Sequence, residues 1–302
     1  MNFDLPKQIK RGKTTSGVFP NAHEVIKSIF RIVNCLKFLK ILKKLFEKSF
    51  LSGVWGNTPG KKKTMKILAI GNSFSQDAIR YLYGIARTDG VELKVVNLFI
   101  GGCSLAKHYR NMLSEERAYD LELNGMKSGF KISMREALLS DDWDYVTIQQ
   151  QSSNSAIYDT FVPYLTEMAA YVRKMAPKAK ILLHQTWGYK KDSERLHKFG
   201  YTAHEEMFTL VRASYEQAEK LIKADGMIPS GEAVLQANLA KAENIYRDDF
   251  HMSPGFGRYM LGLVWYRYLT GRTVTENSFS DFDKELSAQE IELAKQIAEK
   301  IV

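Results

Sequence analysis

Residues 65–75, which read Met-Lys-Ile-Leu-Ala-Ile-Gly-Asn-Ser-Phe-Ser, are the stretch of sequence that decides the fold class. The apolar first half is typical of a buried strand, and the glycine and short polar residues that follow are typical of a strand end. From Met65 onward, further apolar runs alternate with helical patterns, which indicates β-α-β units. We therefore predict a three-layer α/β/α sandwich around a central, mainly parallel sheet.

The predicted elements continue this alternation to the end of the chain. Strands are expected at 66–70, 92–99, 145–149 and 180–184, with a short one near 227–228. Helices are expected at 76–87, 133–139, 161–175, 204–224, 230–243, 255–269 and 288–301. Functional sites of such sheets lie at the carboxyl ends of the strands, so the residues that follow each strand are the candidates for chemistry.

The excess of positive charge is confined to the first 64 residues. The whole chain has 302 residues and a formal net charge of +9. Residues 1–64 hold 14 of the 43 Lys and Arg residues but only 3 of the 34 Asp and Glu residues, which leaves 29 basic and 31 acidic residues in 65–302. The basic character therefore gives no reason to expect a nucleic-acid partner.

The basic segment itself has two parts. Residues 25–51 alternate apolar and basic residues at helical spacing, which predicts an amphipathic helix suited to contact with a membrane surface. Lysines interrupt it too often for a transmembrane span or a signal peptide, so we expect a cytoplasmic protein. Residues 52–64 read as a Gly/Pro/Lys-rich linker, and Met65 resembles a natural start. We expect 1–64 to be an extension outside the fold and 65–302 to be the domain.

Cysteine and histidine usage argues against a metal centre or a disulfide framework. The chain has two cysteines, Cys35 and Cys103, and its six histidines lack the paired spacing of zinc ligands. We therefore expect no structural zinc site.

Polar residues or glycine follow four of the predicted strands, and a further polar stretch occurs much later in the sequence. They are Ser73, Gly102, the Gln-rich stretch 149–152, the stretch 184–187, and Asp-Asp-Phe-His at 248–251. A serine nucleophile needs a histidine base, an acid that orients the base, and N–H donors where oxyanion charge develops. Loops at one edge of the sheet could supply all of these groups.

The same residues resemble the sequence blocks of the SGNH (GDSL-like) hydrolases. Residues 71–75 resemble the G-D-S-L-S block, with Asn72 in place of the usual Asp. Gly102 resembles the glycine of the second block, and Asp248-x-x-His251 resembles the fifth. The blocks occur in the family's order and approximate spacing. The resemblance implies the flavodoxin-like α/β/α fold of that superfamily.

The resemblance also implies acyl transfer by a catalytic triad. Ser73 is then the nucleophile, His251 the general base, and Asp248 the acid that orients the base. The backbone N–H groups of Ser73 and Gly102 are then two donors of the oxyanion hole. Such a mechanism requires neither a metal nor a cofactor.

One block departs from the superfamily pattern. Where the third block usually has G-x-N-D, this chain has Gln-Gln-Gln-Ser at 149–152. The amide of Gln150 or the hydroxyl of Ser152 is the expected replacement for the missing Asn donor. This stretch, together with Gln-Thr-Trp-Gly at 185–188, resembles a bacterial subfamily of carbohydrate-esterase-like SGNH proteins.

The central assignments have alternatives. Ser73 could cap the first helix, or residues 71–75 could cradle a phosphate. Asp249 could be the orienting acid instead of Asp248.

Residues around the strand ends also have two interpretations. Asn72, Trp187 and Tyr189 are expected to line the substrate site, although the two aromatic residues could equally close their loop onto the core. His184 ends an apolar run and is predicted to be a hydrogen-bonded strand-end residue.

The expected function is hydrolysis of O-acyl esters, such as acetyl esters on a carbohydrate, through an acyl-enzyme on Ser73. The expected partner is thus a small-molecule or glycan ester. One alternative is a non-catalytic domain on the same scaffold that binds a glycan or a metabolite. Another is that residues 25–51 are the working part, as an anchor to a membrane or a partner protein.

Overall fold

The structure is a computed structural model that describes residues 63–302. The predicted helix at 25–51 lies outside these residues, as does all but the end of the linker at 52–64. The membrane contact expected of that helix therefore stays a prediction. Within the described part of the chain, no helix is long and apolar enough to cross a membrane.

Residues 63–302 form one seven-stranded sheet. The strands are β1 (Met65–Gly71), β2 (Leu93–Phe99), β3 (Tyr119–Leu123), β4 (Met126–Ile132), β5 (Tyr145–Ile148), β6 (Lys180–His184) and β7 (Gly226–Ile228). Their order is β4-β3-β2-β1-β5-β6-β7. The pairs β1–β2, β1–β5, β5–β6 and β6–β7 are parallel, whereas the pairs β2–β3 and β3–β4 are antiparallel. The predicted, mainly parallel sheet is confirmed.

Helices lie between the strands of residues 63–302, except between β3 and β4. They are α1 (Ser73–Ile79), α2 (Leu82–Thr88), α3 (Leu105–Ser114), α4 (Met134–Leu139), α5 (Tyr164–Met175), α6 (Glu194–Lys198), α7 (His204–Ile222), α8 (Ser230–Leu239), α9 (Phe256–Thr270) and α10 (Ala288–Ile301). A single 3-10 turn covers Tyr158–Thr160.

The alternation of buried residues along β1 explains why helices cover both faces of the sheet. Ile67 and Ala69 join one core cluster, whereas Leu68 and Ile70 join the other. All four side chains are fully buried. Because successive side chains of a strand point to opposite faces, a strand buried in this way needs a helical layer on each side. The predicted three-layer α/β/α sandwich is confirmed.

The hairpin of β3 and β4 is absent from the sequence prediction. Most of β4 is exposed, so it lacks the apolar pattern of a buried strand. A local signal does exist in Asn124-Gly125, where both residues have positive φ, 52° and 79°. Asn-Gly favours this left-handed conformation in tight hairpins. A Cβ atom at Gly125 would also lie 2.3 Å from the carbonyl oxygen of Arg80. Both the positive φ and this close approach therefore favour glycine at position 125.

The helix predicted at 76–87 is in fact two helices, α1 and α2, which separate at Arg80 and Tyr81. Arg80 pairs with Asp283, and the Tyr81 hydroxyl donates to the carbonyl of Pro254. These partners lie some 170 to 200 residues away along the chain, so local periodicity does not reveal the break. The helices α3 and α6 are also absent from the helices predicted from the sequence.

The strands that carry the candidate residues end side by side. Gly71 of β1 pairs with Phe99 of β2, and Ile70 pairs with Ile148 of β5. The loops after these strands therefore begin at one edge of the sheet, as the rule for parallel sheets requires.

Candidate active site

Ser73 is the first residue of α1, directly after β1. The cap of this helix is Asn72, whose side-chain oxygen accepts a hydrogen bond from the Phe74 N–H at 2.9 Å. The Asn72 amide also donates to the carbonyl of Cys103 at 3.0 Å, which ties the nucleophile loop to the loop after β2. Since Asn72 takes the capping role, the alternative that Ser73 caps the helix is not supported. Ser73 keeps its hydroxyl for another partner.

That partner is His251. Its Nε2 atom lies 2.8 Å from Ser73 Oγ, and its Nδ1 atom lies 2.7 Å from Asp248 Oδ2. Ser73 and His251 are 178 residues apart in sequence. The fold thus brings the three predicted triad residues into one continuous chain of hydrogen bonds.

The structure also distinguishes between the two neighbouring aspartates. Asp248 bonds to the imidazole, and its other oxygen accepts from the backbone N–H groups of Phe250 and His251 at 3.0 and 2.8 Å. Asp249 instead accepts from the backbone N–H of Arg195 at 3.3 Å. Asp248 is therefore the carboxylate that can orient the histidine.

The surroundings of Asp248 keep it ionised. Partial burial acts to raise the pKa of its carboxyl group, but hydrogen bonds from the backbone of His251 and Phe250 and from the His251 ring outweigh burial and lower the pKa below its ordinary value. The side chains of Asp248 and His251 are 46% and 19% exposed. The Asp248 carboxylate is thus negatively charged, and a solute can reach the pair.

Gly102 lies in the turn after β2. Its φ is +59°, a conformation that side chains rarely adopt. A Cβ atom at Gly102 would lie 3.7 Å from Nε2 of Gln151, so the amide of Gln151 lies beside this glycine. Gln151 is partly exposed and was not among the predicted site residues. The run of three glutamines gave a signal for the loop without showing which of them faces the site.

The two predicted replacements for the third oxyanion donor need correction. The Gln150 amide donates to the carbonyl and hydroxyl oxygens of Thr160 at 2.9 and 3.1 Å, which occupies both of its N–H groups. The Ser152 hydroxyl lies 3.1 Å from that of Tyr189, which is fully buried. Both side chains are buried and already hydrogen-bonded within the protein, so the structure favours neither of them as the third donor.

The predicted substrate-lining residues also need correction. Trp187 and Tyr189 are 0% exposed and Asn72 is 2% exposed, so none of them can line an open site. The Trp187 ring stacks on that of Phe74, with centroids 3.9 Å apart, and its N–H donates to the Phe250 carbonyl. The loop closes onto the core because these rings bury their large apolar surfaces there.

Aromatic rings pack against the imidazole of His251. The Phe250 ring packs against the His251 ring at a centroid distance of 4.0 Å, and Phe74 meets it edge-on at 6.2 Å. The guanidinium of Arg195 lies 4.2 Å from the centre of the Phe250 ring. The imidazole is thus held by packing as well as by its two hydrogen bonds.

A second serine–histidine pair, which the sequence did not suggest, lies in the core behind the site. His184 Nδ1 is 2.7 Å from Gln149 Oε1, and His184 Nε2 is 3.0 Å from Ser230 Oγ. Burial lowers the pKa of His184 to about 3, so the ring is neutral. The Gln149 amide then donates to Asn72 Oδ1 at 2.9 Å. The prediction that His184 is a hydrogen-bonded strand-end residue is confirmed.

Within residues 63–302, no group of three or more His, Cys, Asp or Glu side chains is placed to hold a metal ion.

Comparison with known proteins identifies the family. A model of a domain of unknown function, DUF4886, matches residues 66–301. The chain belongs to the DUF4886 family. The match covers the whole sheet and the Ser73, Asp248 and His251 positions, so this site is part of the DUF4886 domain.

Solved structures agree with this assignment. A crystal structure of a DUF4886 family protein from Bacteroides uniformis is 32% identical, with a TM-score of 0.73 over 79% of this chain and 94% of that chain. A protein from Slackia heliotrinireducens, proposed to be an SGNH hydrolase, is 23% identical, with a TM-score of 0.51 over 68% of this chain and 100% of that chain. The DUF4886 chain thus has the SGNH-like fold that its motifs predict. No curated protein matches it.

Proposed function

We propose that this DUF4886 protein is a serine hydrolase that cleaves carboxylic esters through an acyl-enzyme on Ser73. The observation that carries the proposal is the unbroken chain Ser73 Oγ–His251–Asp248, with distances of 2.8 and 2.7 Å. These are the contacts that let a histidine take a proton from a serine while a carboxylate holds the ring in the required tautomer. A helix cap or a phosphate loop has no need of them.

In the first half of the reaction, Ser73 Oγ attacks the ester carbonyl carbon as its proton passes to His251 Nε2. The C–O bond forms, and the carbonyl π electrons move onto oxygen to give a tetrahedral oxyanion. When the oxyanion collapses, the bond to the alcohol breaks and His251 returns the proton to the departing oxygen. The ionised Asp248 stabilises the imidazolium that exists between these two transfers.

Three groups are available to bind the oxyanion. We assign the backbone N–H groups of Ser73 and Gly102 and, as the third donor, the side-chain amide of Gln151. The proximity of Gln151 Nε2 to Gly102 supports this assignment, as do the occupied partners of Gln150. Donors aimed at the developing charge commonly contribute the largest share of such catalysis.

In the second half, water takes the place of the alcohol. His251 removes a proton from water, the hydroxide attacks the acyl carbon, and Ser73 leaves with the proton that His251 returns. The products are the free acid and the regenerated hydroxyl. We propose small O-acyl groups such as acetyl on a carbohydrate as the substrate class, and this finer proposal rests on the sequence resemblance at 149–152 and 185–188 alone.

The experiment that tests the proposal is labelling by a fluorophosphonate, followed by peptide mass spectrometry. The activated hydroxyl displaces fluoride and forms a stable bond to phosphorus, so we expect one adduct, on Ser73. Ser73→Ala should abolish labelling. The control Ser278→Ala changes an exposed serine far along the chain and should label like the wild type.

Two outcomes count against the proposal. An adduct on Ser104 or Ser152 in place of Ser73 would overturn the assignment of Ser73 as the nucleophile. A folded protein that takes no label and hydrolyses no short-chain ester would favour a non-catalytic binding domain.

A further inference from the structure

Asp77 is a buried carboxylate that the proposed chemistry does not use. It lies on α1, four residues after Ser73, and it is 0% exposed. Burying a charge is costly unless it is paired and hydrogen-bonded. The partners of Asp77 should therefore show why a charge is kept at this position.

Those partners lie on the segment that carries the base and the acid. Arg247 Nη1 donates to both Asp77 oxygens at 2.8 and 2.9 Å, and the Met252 backbone N–H donates to Oδ2 at 3.1 Å. Arg247 directly precedes Asp248, and Met252 directly follows His251. Asp77 thus holds both ends of the four-residue segment 248–251.

The segment 248–251 closes a short hairpin. The Arg247 N–H donates to the His251 carbonyl at 3.0 Å, and Tyr246 and Met252 form an antiparallel bridge. The Arg247 guanidinium also donates to the Met252 carbonyl. The hairpin is therefore a unit, and Asp77 joins it to the helix that presents Ser73.

A second arginine completes the environment of Asp77. Arg258 Nε donates to Asp77 Oδ1 at 2.9 Å, and Arg258 Nη1 donates to Asp283 at 2.9 Å. Asp283 in turn pairs with Arg80. Asp77 and Asp283 thus share Arg258, but of the two carboxylates only Asp77 contacts the hairpin within the described hydrogen bonds.

We propose that Asp77 is a positioning residue, whose charge holds the His251 and Asp248 hairpin in register with Ser73. This inference rests on the proposed function. The nucleophile belongs to α1 and its base belongs to the hairpin, so the 2.8 Å contact between them depends on how these two elements are joined. A misplacement of about 1 Å can cost roughly 10²-fold in rate.

The test compares Asp77→Asn with Asp283→Asn in the full chain. Asparagine keeps the size of Asp77 but leaves Arg247 without a counter-charge, so we expect kcat for a short-chain ester to fall about 10²-fold with little change in KM. The downfield proton resonance of the His251 Nδ1–H that bonds to Asp248 should weaken or disappear. Asp283→Asn removes a carboxylate from the same network, and it should leave both readouts close to wild type.

Arg247→Gln keeps the test decisive if Asp77→Asn does not fold. It breaks the ionic link to the hairpin and leaves the Asp77–Arg258 pair in place, so we expect kcat to fall about 10-fold or more and the resonance to weaken. Wild-type kcat and resonance in either folded variant would overturn the inference. An inactive, unlabelled wild type would instead contradict the proposed function, which separates the two failures.

Discussion

Residues 63–302 contain two serine–histidine pairs with similar hydrogen-bond distances, one at the edge of the sheet and one in the core. At the edge, His251 lies between Ser73 at 2.8 Å and Asp248 at 2.7 Å. In the core, His184 lies between Ser230 at 3.0 Å and Gln149 at 2.7 Å. Distances alone therefore do not distinguish a catalytic arrangement from a structural one.

The two pairs differ in charge and in access. Asp248 is an exposed, ionised carboxylate, whereas Gln149 is a neutral, buried amide that cannot stabilise an imidazolium. Burial lowers the pKa of His184 to about 3, so this ring does not accept a proton near neutral pH. The edge pair thus has the ionised carboxylate and the exposure that base chemistry uses, and the core pair has neither.

The core pair nevertheless supports the edge pair. Gln149 bonds to Asn72, which caps α1 and fixes the loop that presents Ser73. The Trp265 N–H donates to Ser230 Oγ at 3.2 Å and extends this network into the core. The comparison thus separates the region that we propose performs the chemistry from a region that holds it in place.

The largest expected difference is between Ser73→Ala and Ser230→Ala. Loss of the nucleophile should lower kcat by about 10⁶-fold, as in a comparable triad. Ser230→Ala leaves the Nε2 atom of His184 without its partner, so it should cost about 1–3 kcal/mol of unfolding free energy and lower kcat by less than about tenfold. Ester turnover and urea unfolding measure the two effects. Equal losses of turnover would mean that the core pair takes part in the chemistry.

The second test compares adjacent glutamines. Gln151→Ala should lower kcat by about 10²–10³-fold, the usual cost of removing one oxyanion donor, with little change in Tm. Gln150→Ala removes an amide that bonds to Thr160 and accepts from the N–H of Leu105, so it should lower Tm. If Gln150→Ala lowers kcat at unchanged Tm while Gln151→Ala has no effect, the donor has been assigned to the wrong glutamine.

The third test concerns acid stability. The pKa of a histidine is about 6.5 in the unfolded chain, whereas the pKa of folded His184 is about 3. Between these two pH values the unfolded chain binds a proton that the folded protein does not bind. His184 therefore contributes stability that is present above pH ~6.5 and is lost as the pH falls toward 3, by up to about 1.4 kcal/mol per pH unit. His184→Gln should make this pH dependence of unfolding shallower.

The exposed His197→Gln is the matched control for this measurement, and it should leave the slope as it is in the wild type. An unchanged slope in His184→Gln would show that His184 takes up its proton over the same pH range in the folded and the unfolded chain. In that case the contrast between the two histidines would lose its electrostatic basis.

The sequence by itself determined the parallel strands and the order of the site residues along the chain. The apolar run of β1, the G-N-S-F-S stretch at 71–75 and the D-x-x-H stretch at 248–251 are local patterns. They are readable because a buried strand must alternate its faces and because strand ends collect at one edge. For the same reason the hairpin of β3 and β4, which is mostly exposed, is readable only from its Asn-Gly turn.

Only the tertiary structure decided which side chains face the site. The run Gln149, Gln150 and Gln151 places one amide behind the nucleophile loop, one against Thr160 and one beside Gly102. Trp187 and Tyr189 follow a strand end, yet both are buried there. The orientation of a loop side chain is set by partners far away in sequence, as with Asp77 and Arg247, which are 170 residues apart. The hydrophobic periodicity of the local sequence does not predict such a contact, because the free energy that favours the contact arises only when the two segments meet.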